Sequence, residues 1–430
     1  MATSPRLVTA YADFAAELVA QGVLSDPWVD GAPRFQMTPL SLDRATQRAL
    51  YAAAEGVAQV HAEGAALCAR QPALVARFFD LPPAHQLMWR SSAPHWHGIA
   101  RADVFLTAAG PQVCELNSDT PSGEPEAVAL NRSIDGPGAS AFDDPNCRLE
   151  VQVFEMLRAV SPPGRPLTIG IVYPTEMPDD LSVIGLYARW FEARGARVVL
   201  GSPFNLRPDG QGGVAMFGVS CSVIWRHYKT DWWGERRPIR RSEPPYTDAQ
   251  ALHGPLELLA GAVARGRCAV VNPFGAVLTQ NKRMMALFWE EIARFSEPAR
   301  RIIRRYVPWT ARLEALSLAR LCEERAHWVL KSDYGCEGEE VVIGAETTPA
   351  DWTNALADAL PDRWIAQRRF VPLSDRRGRT ANFGVYLVGG RGAGLFTRLQ
   401  SGGTDRTATC VPTIIEASIK APRRATGRAS

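Results

Sequence analysis

Asp103, Glu115 and Asn117 stand on two short alternating stretches, Arg101-Ala-Asp-Val-Phe-Leu106 and Gln112-Val-Cys-Glu-Leu-Asn117, with the break Ala108-Ala-Gly-Pro111 between them. Alternation interrupted by Gly and Pro is the pattern of a β-hairpin. If the hairpin closes on a three-residue loop, Ala108-Ala109-Gly110, Asp103 faces Glu115 and Arg101 faces Asn117. Side chains in a strand alternate, so these four share one face while Ala102, Val104, Cys114 and Leu116 turn inward. Two carboxylates directly opposite each other repel, and such a face needs a cation or open water. Oxygen donors without Cys or His suit Mg2+ rather than Zn2+. The pattern alone is satisfied equally by a metal-binding face and by a solvated face on which Arg101 pairs with Glu115.

Two lysines are the next candidates. Lys331 closes His327-Trp-Val-Leu-Lys331 and is followed by Ser-Asp-Tyr-Gly335-Cys-Glu-Gly338-Glu-Glu340. A lysine ahead of a glycine-bearing turn offers an ammonium and backbone N–H groups to phosphate. Asp333, Glu337, Glu339 and Glu340 oppose an anion unless they point away, so on its own the segment reads better as an ordinary turn. Lys282 follows Asn281 at a helix start, where the dipole favours an anion over an ammonium. Arg226 ends Val-Ile-Trp-Arg at the carboxyl end of a strand, where open α/β sheets bind ligands, and is the substrate-side candidate. His95 and His97 lack a third ligand and read as packed or surface histidines rather than a metal site.

The elements that must carry these residues fall into blocks. Residues 1–100 read as a helical layer, with apolar positions at three- and four-residue intervals over Leu7–Val23 and Ala45–Ala65. The hairpin opens a block at 101–163. Residues 164–272 read as a βαβ region: strand Leu167–Tyr173, helix Leu181–Arg194 stopped by Gly195, strand Ala196–Leu200, and a further strand Val219–Trp225. Asp231–Pro245 reads as an exposed Arg-rich loop, and Ala249–Arg265 and Asn281–Phe295 as helices. The block 273–419 returns to strands, at Trp328–Lys331, Val341–Ile343, Trp364–Arg369, Asn382–Val388 and Gly392–Leu399. Residues 420–430 form a basic tail expected to be disordered.

Composition narrows the classes. A chain of 430 residues, 46% hydrophobic and 22% charged with net charge +3, is long enough for two or three cores. No apolar run approaches the roughly 18 residues that span a bilayer, and Met1–Arg6 lacks a signal-peptide pattern, so a cytoplasmic protein with no membrane partner is expected. The eight cysteines are scattered with no CxxC pair, which argues against a disulfide framework or a zinc site. The basic excess is local and not interleaved with aromatics, so no nucleic-acid partner is expected and the ligands are small molecules.

Taken in order, the motifs are more specific than each alone. Arg101-Ala-Asp103 with Cys114-Glu-Leu-Asn-Ser-Asp-Thr-Pro121 resembles the metal-binding signature of glutathionylspermidine synthase and related circularly permuted ATP-grasp proteins. Val271-Asn-Pro-Phe274, Gln280-Asn-Lys282, Val329-Leu-Lys331 with Gly335 and Gly338, Trp364-Ile-Ala-Gln367 and Phe383-Gly-Val-Tyr386 with Arg398 recur in that family's order. The resemblance implies an α/β, circularly permuted ATP-grasp fold: the metal-binding part of its core at 101–163, a Rossmann-like pre-ATP-grasp region at 164–272, and the ATP-binding lobe with core closure at 273–419. By position, Asp103, Glu115 and Asn117 would hold Mg2+, Lys282 and Lys331 the ATP phosphates under Gly335 and Gly338, and Gln367 would lie near the adenine. Arg101 and Arg398 would stabilise the transferring phosphoryl group, and Asp119 and Thr120 would face substrate, joining Arg226, which its strand-end position alone makes a candidate. The implied activity is an ADP-forming ligation of an acid and an amine through an acyl phosphate, the alternatives being a non-catalytic nucleotide-binding homologue or a small-molecule kinase. The sequence departs from the family at Arg368, where Glu is frequent, and at Cys336-Glu337 in the glycine loop, where a basic residue is common.

Overall fold

The hairpin forms as its alternation requires, with Ile99–Thr107 antiparallel to Gly110–Asn117. In the computed structural model it makes one side of a five-stranded antiparallel sheet continued by Thr380–Val388, Arg391–Gln400 and Thr409–Val411. An early hairpin and the late strands therefore share one sheet, which Gly110–Asn117 bounds as an edge strand. The described residues are all except 1–4, 25, 135–141, 176, 178–179, 235–237, 239, 246, 248–251, 336–339, 360–362 and 417–430. The expectations for Gly338, for Cys336-Glu337 and for the 420–430 tail fall outside them.

The closure of the hairpin differs from expectation. Thr107 pairs with Gly110, so the loop is the two residues Ala108 and Ala109, and Gly110 takes a φ of 110°. Continued unbroken, that register would set Asp103 opposite Cys114. A bulge at Cys114, between Val113 and Glu115, admits one extra residue and restores Asp103 opposite Glu115 and Arg101 opposite Asn117. Val113 rather than Cys114 joins Ala102, Val104 and Leu116 in the buried row.

That row is packed with the helix Arg44–Arg70, whose Leu50, Ala53, Ala54, Val57 and Val60 belong to the same apolar cluster. The helix starts where Asp43 accepts a hydrogen bond from the Thr46 N–H at 2.6 Å. Its many alanines permit close approach to the sheet and to the helices Arg283–Glu290 and Glu297–Tyr306. The second of these was not expected: the pattern over Asn281–Phe295 breaks after Glu290, and Ser296 with Pro298 starts a new helix, the Ser296 hydroxyl accepting from the Ala299 N–H.

A four-stranded parallel sheet follows in sequence, ordered Ala269–Val271, Val223–Arg226, Thr168–Val172, Arg197–Gly201. The helix Leu181–Ala193 crosses it as a βαβ unit. The expected strand Val219–Trp225 is in fact two strands. Val219–Cys221 belongs to a small antiparallel sheet with Leu206–Pro208 and Val214–Met216, and the chain changes sheet at Ser222, whose N–H donates to the Thr168 carbonyl. The start of the Asp231–Pro245 segment is also not a solvated loop. Thr230–Trp233 is a helical turn, and Trp233 is fully buried against Phe274 and Tyr228, because an indole covers more apolar area than the neighbouring charges can keep in water.

The last lobe is a second antiparallel sheet, ordered Thr310–Arg312, Trp364–Arg368, Trp328–Ser332, Val341–Ile343. Trp328, Leu330, Trp364 and Ala366 from the sheet pack with Trp352 and Leu356 from the helix Pro349–Asp358, which Thr348 caps. No helix among the described residues is long and apolar enough to cross a membrane, and the described cysteines are all free thiols.

Candidate active site

The open end of the hairpin is clamped from two sides. Asn272, just past the strand Ala269–Val271, accepts from the N–H groups of Gly98 and Ile99 at 2.6 and 3.0 Å. Its amide nitrogen donates to the carbonyls of Ile99, Ser118 and Asp119 at 2.7, 3.0 and 2.9 Å. Gln280 accepts from the Ser118 and Asp119 N–H groups at 2.7 and 3.1 Å. Buried amides used on both ends fix the chain they bind. The motifs Val271-Asn-Pro-Phe274 and Gln280-Asn-Lys282 thus hold the strand ends that carry the candidate site.

On the hairpin's polar face Asp103 is buried and tied to two arginines. Arg101 donates from Nε at 2.8 Å and from Nη2 at 3.3 Å, and Arg398, from the strand Arg391–Gln400, donates at 2.8 Å. Asn382 reaches it at 3.4 Å. Burial would raise the Asp103 pKa, but the two guanidinium groups outweigh it and hold the carboxyl at about 2. The ion pair weighed from the sequence, Arg101 with Glu115, is therefore replaced by Arg101 with Asp103. The Arg101 side chain runs along its own strand to the next residue on that face.

Glu115 instead meets Lys282, with Oε2 3.8 Å from the ammonium, and accepts from the Asn117 amide at 3.4 Å. The Asn117 oxygen in turn accepts from Gln280 at 3.5 Å. Lys282 also donates to the Gly335 carbonyl. Gly335 has no room for a side chain, since a Cβ there would stand 2.5 Å from the Ser332 hydroxyl. Across the gap, Lys331 donates to the Cys114 carbonyl at 3.2 Å and Gln367 approaches the same oxygen at 3.5 Å while donating to the Thr310 hydroxyl at 3.1 Å. The bulge thus turns one hairpin carbonyl toward the last lobe. His61, Glu115, Asn117, Gln280, Lys282 and Met285 line a small cleft at this edge.

Lys282, Lys331, Gly335, Gln367 and Arg398 are therefore brought to the hairpin that carries Arg101 from four separate stretches of chain. The substrate-side candidates are placed differently. Arg226 is fully buried, donating to Asp119 at 2.5 Å and to the carbonyls of Asn272 and Tyr228. The second Asp119 oxygen accepts from the Thr230 N–H and hydroxyl at 2.7 and 3.0 Å. Arg226 and Asp119 saturate each other as a tie between the parallel sheet and the segment after the hairpin, and neither faces an open substrate. Its end-of-strand position was readable, but the acid that would turn it inward was not. Thr120 is half-buried beside them. His97 stacks on Trp96 with ring centroids 3.5 Å apart and is pushed down to about 3 by burial, with His61 adding to the shift, as befits a packed neutral imidazole.

Sequence reasoning missed His61, which reaches the cleft from the long helix, and Glu124, which follows the hairpin at the start of the helix Glu124–Arg132. His61 carries no local signal in an alanine-rich helix. Glu124 carries a weak one, an acid in a first helical turn, which ordinarily means a solvated carboxylate.

This arrangement, a carboxylate hairpin in one sheet with Lys331 from a second sheet and Lys282 from a helix start closing over its edge, is that of the ATP-grasp fold. A glutathione synthetase-like effector from Globodera pallida in its apo form shares it with a TM-score of 0.60 at 10% identity, over 96% of this chain and 98% of that one. A protein provisionally named a gamma-glutamylcysteine synthetase, from Methylobacillus flagellatus KT, gives 0.45 at 13% identity over 87% of each chain. A RimK domain ATP-grasp protein from Sphaerobacter thermophilus gives 0.27 at 17% identity, over 57% of this chain and 89% of that one. These last two likenesses are too weak to add anything. Residues 254–416 match the family model for the glutathionylspermidine synthase pre-ATP-grasp region, a span holding Lys282, Lys331, Gly335, Gln367 and Arg398. The resemblance read from the motifs is borne out there. No curated protein matches the chain.

Proposed function

We propose that this chain is an ATP- and Mg2+-dependent ligase that joins a carboxylate to an amine and releases ADP. The observation that carries the reading is the meeting of Lys282 with Glu115 and of Lys331 with the Cys114 carbonyl. Two cations from outside the hairpin's sheet stand at its polar edge, which is what a polyphosphate requires.

The donor set fits a hard divalent cation. Glu115 offers carboxylate oxygens, Asn117 beside it would offer its amide oxygen once its side chain turns over, and the Lys282 ammonium already stands beside Glu115 as a positive charge. Asp103 would complete the set from the opposite strand. Bound there, Mg2+ would neutralise phosphate charge. Lys282 and Lys331 would grip the phosphates, and Gln367 would lie against the nucleotide base. Arg101 and Arg398, both fixed on Asp103, present permanently charged planar donors toward an oxyanion. A substrate carboxylate would take the γ-phosphate, and the amine would then displace phosphate, with no side-chain nucleophile.

Mg2+-dependent ADP release over a panel of acids and amines tests this. The family model's name makes glutathione and spermidine the first pair to try. Trapping with hydroxylamine separates ligase from kinase, because an acyl phosphate yields a hydroxamate and a phosphate ester does not. Glu115→Gln should abolish turnover with an unchanged melting temperature. Full activity in that variant refutes the cation assignment.

A further inference from the structure

The parallel sheet ends on one side in an uncovered strand. Among the described residues Arg197–Gly201 pairs only with Thr168–Val172, at the opposite edge from Ala269–Val271, whose continuation clamps the hairpin. The Arg197 N–H donates to the Leu167 carbonyl, and the Gly201 carbonyl accepts from the Tyr173 N–H. Arg197, Val199 and Gly201 therefore turn their backbone groups inward, and by alternation Val198 and Leu200 turn theirs outward. Beyond them the edge is closed, since the Ala196 N–H is spent on the Phe191 carbonyl and the Ser202 N–H on Asn205 Oδ1. Edge strands are ordinarily shielded by a charge, a proline or a bulge, and neither outward position supplies one.

An aromatic patch borders this edge. Phe217 is 67% exposed, Phe204 55% and Leu200 41%. Phe217 stands in the two-residue turn between Val214–Met216 and Val219–Cys221 with a φ of 49°, in the left-handed region that Asn, Asp or Gly ordinarily fills there. A bulky ring held in that backbone and left largely in water contributes little to the single chain. The ring reaches over Gly201, 3.2 Å from where a Cβ would stand. Arg197 is on the same face of the strand as Gly201, is exposed, and has no acidic partner among the described residues.

We propose that this edge pairs antiparallel with the same edge of a second copy, joining two four-stranded sheets into one across a two-fold axis. The register follows from the free groups. With Val199 opposite the second copy's Val199, Val198 faces Leu200 and all the outward N–H and C=O groups are bonded. A slip of one pairing step would set Leu200 against Ala196, or Val198 against Ser202, whose N–H groups are already spent. The same register lays Arg197 opposite the second copy's Gly201 and so against the Phe217 ring there. That places a cation on an aromatic face, twice by symmetry. The two arginines stay at opposite ends of the paired strands, and Leu200 covers Val198 on the other face. The candidate active site lies off the far edge of the sheet and stays open.

Sedimentation velocity of the full chain should show a dimer that dissociates on dilution. Phe217→Asn, which suits the turn and removes the ring, should weaken it by about tenfold or more without lowering the melting temperature. Leu200→Lys should weaken it to a similar degree, about tenfold. Val199→Cys should give a disulfide-linked dimer under mild oxidation, because the pair on the axis brings its Cα atoms to about 4.5 Å. Val198→Cys should cross-link no more than wild type, whose exposed Cys147 and Cys322 set the background. Melting curves show which variants fold, and Arg197→Ala, at an exposed position, repeats the test with an expected loss of about fivefold. A wild type that is monomeric at every concentration, a dimer indifferent to these substitutions, or equal cross-linking of the two cysteine variants overturns the proposal. So does a monomer that sediments with phosphatidylcholine–phosphatidylserine vesicles, in which case the patch meets an anionic membrane.

Discussion

Lys282 holds a position that a divalent cation would contest. Its ammonium is 3.8 Å from Glu115 and bonded to the Gly335 carbonyl, so in the nucleotide-free protein it neutralises the acid it must leave in order to grip phosphate. Lys282→Gln should therefore tighten nucleotide-free Mn2+ binding, read by electron paramagnetic resonance, by about two- to tenfold, the range of a partly exposed ion pair. The same variant should weaken binding of Mg2+·ATP. Unchanged or weaker Mn2+ affinity would show that lysine and metal do not compete. Glu124 makes a separate residue-scale prediction about stability. Its folded pKa of about 7 lies above its ordinary value of 4.5, so the native protein binds the extra proton between those limits. Stability from this group is fully present below about pH 4.5 and is lost as pH rises through about 7, at up to ~1.4 kcal/mol per pH step. Glu124→Gln should match wild type in acid and exceed it by up to ~3 kcal/mol above about pH 8, measured by urea melts across pH. Parallel curves for the two proteins would deny the buried proton.

At the scale of the element, the hairpin shows how a register can be read correctly through two errors. The expected loop was one residue too long and no bulge was foreseen; the bulge adds the residue that the shorter loop removes. A two-residue loop suits the twist of paired strands, and neither fact alters the alternation from which the pairing was read. The bulge nevertheless has a separate consequence, since it points the Cys114 carbonyl at Lys331 and Gln367. Deleting Cys114 should leave Asp103 opposite the glutamate and the apolar row intact, with a regular hairpin and a small change in melting temperature. It should selectively weaken Mg2+·ATP binding, by about tenfold for the loss of one charged hydrogen bond. Cys114→Ala, which keeps the carbonyl, should bind as wild type does. Equal affinities for deletion and wild type, measured by calorimetry, would remove the bulge from the nucleotide wall.

Across the whole molecule, the parallel sheet and the hairpin share apolar clusters and are joined as well by buried polar ties. Asn272 clamps both strand ends, and Arg226 bonds Asp119. Arg226→Met should destabilise the protein by about 3–5 kcal/mol, because it strands the Asp119 carboxylate in the interior. The double variant with Asp119→Asn should recover a large part of that loss. If the single and double variants melt alike, the pair does not couple the two halves.

The sequence by itself determined the hairpin and its polar face, the βαβ unit, the strands of the last lobe and the order of the motifs. These are local properties, written in alternation, helical spacing and turn residues. It did not determine which cation each acid would meet. Arg101 turns to Asp103, Arg226 turns inward to Asp119, and Glu124 is buried instead of solvated. Each of these outcomes depends on side chains brought from another part of the chain. Nor could the sequence set Lys282 and Lys331 on one hairpin, since Lys331 comes from a second sheet and Lys282 from a helix start, both far from the hairpin along the chain. Periodicity fixes the face on which a side chain stands; the packing of distant segments decides its charge partner and its exposure to water.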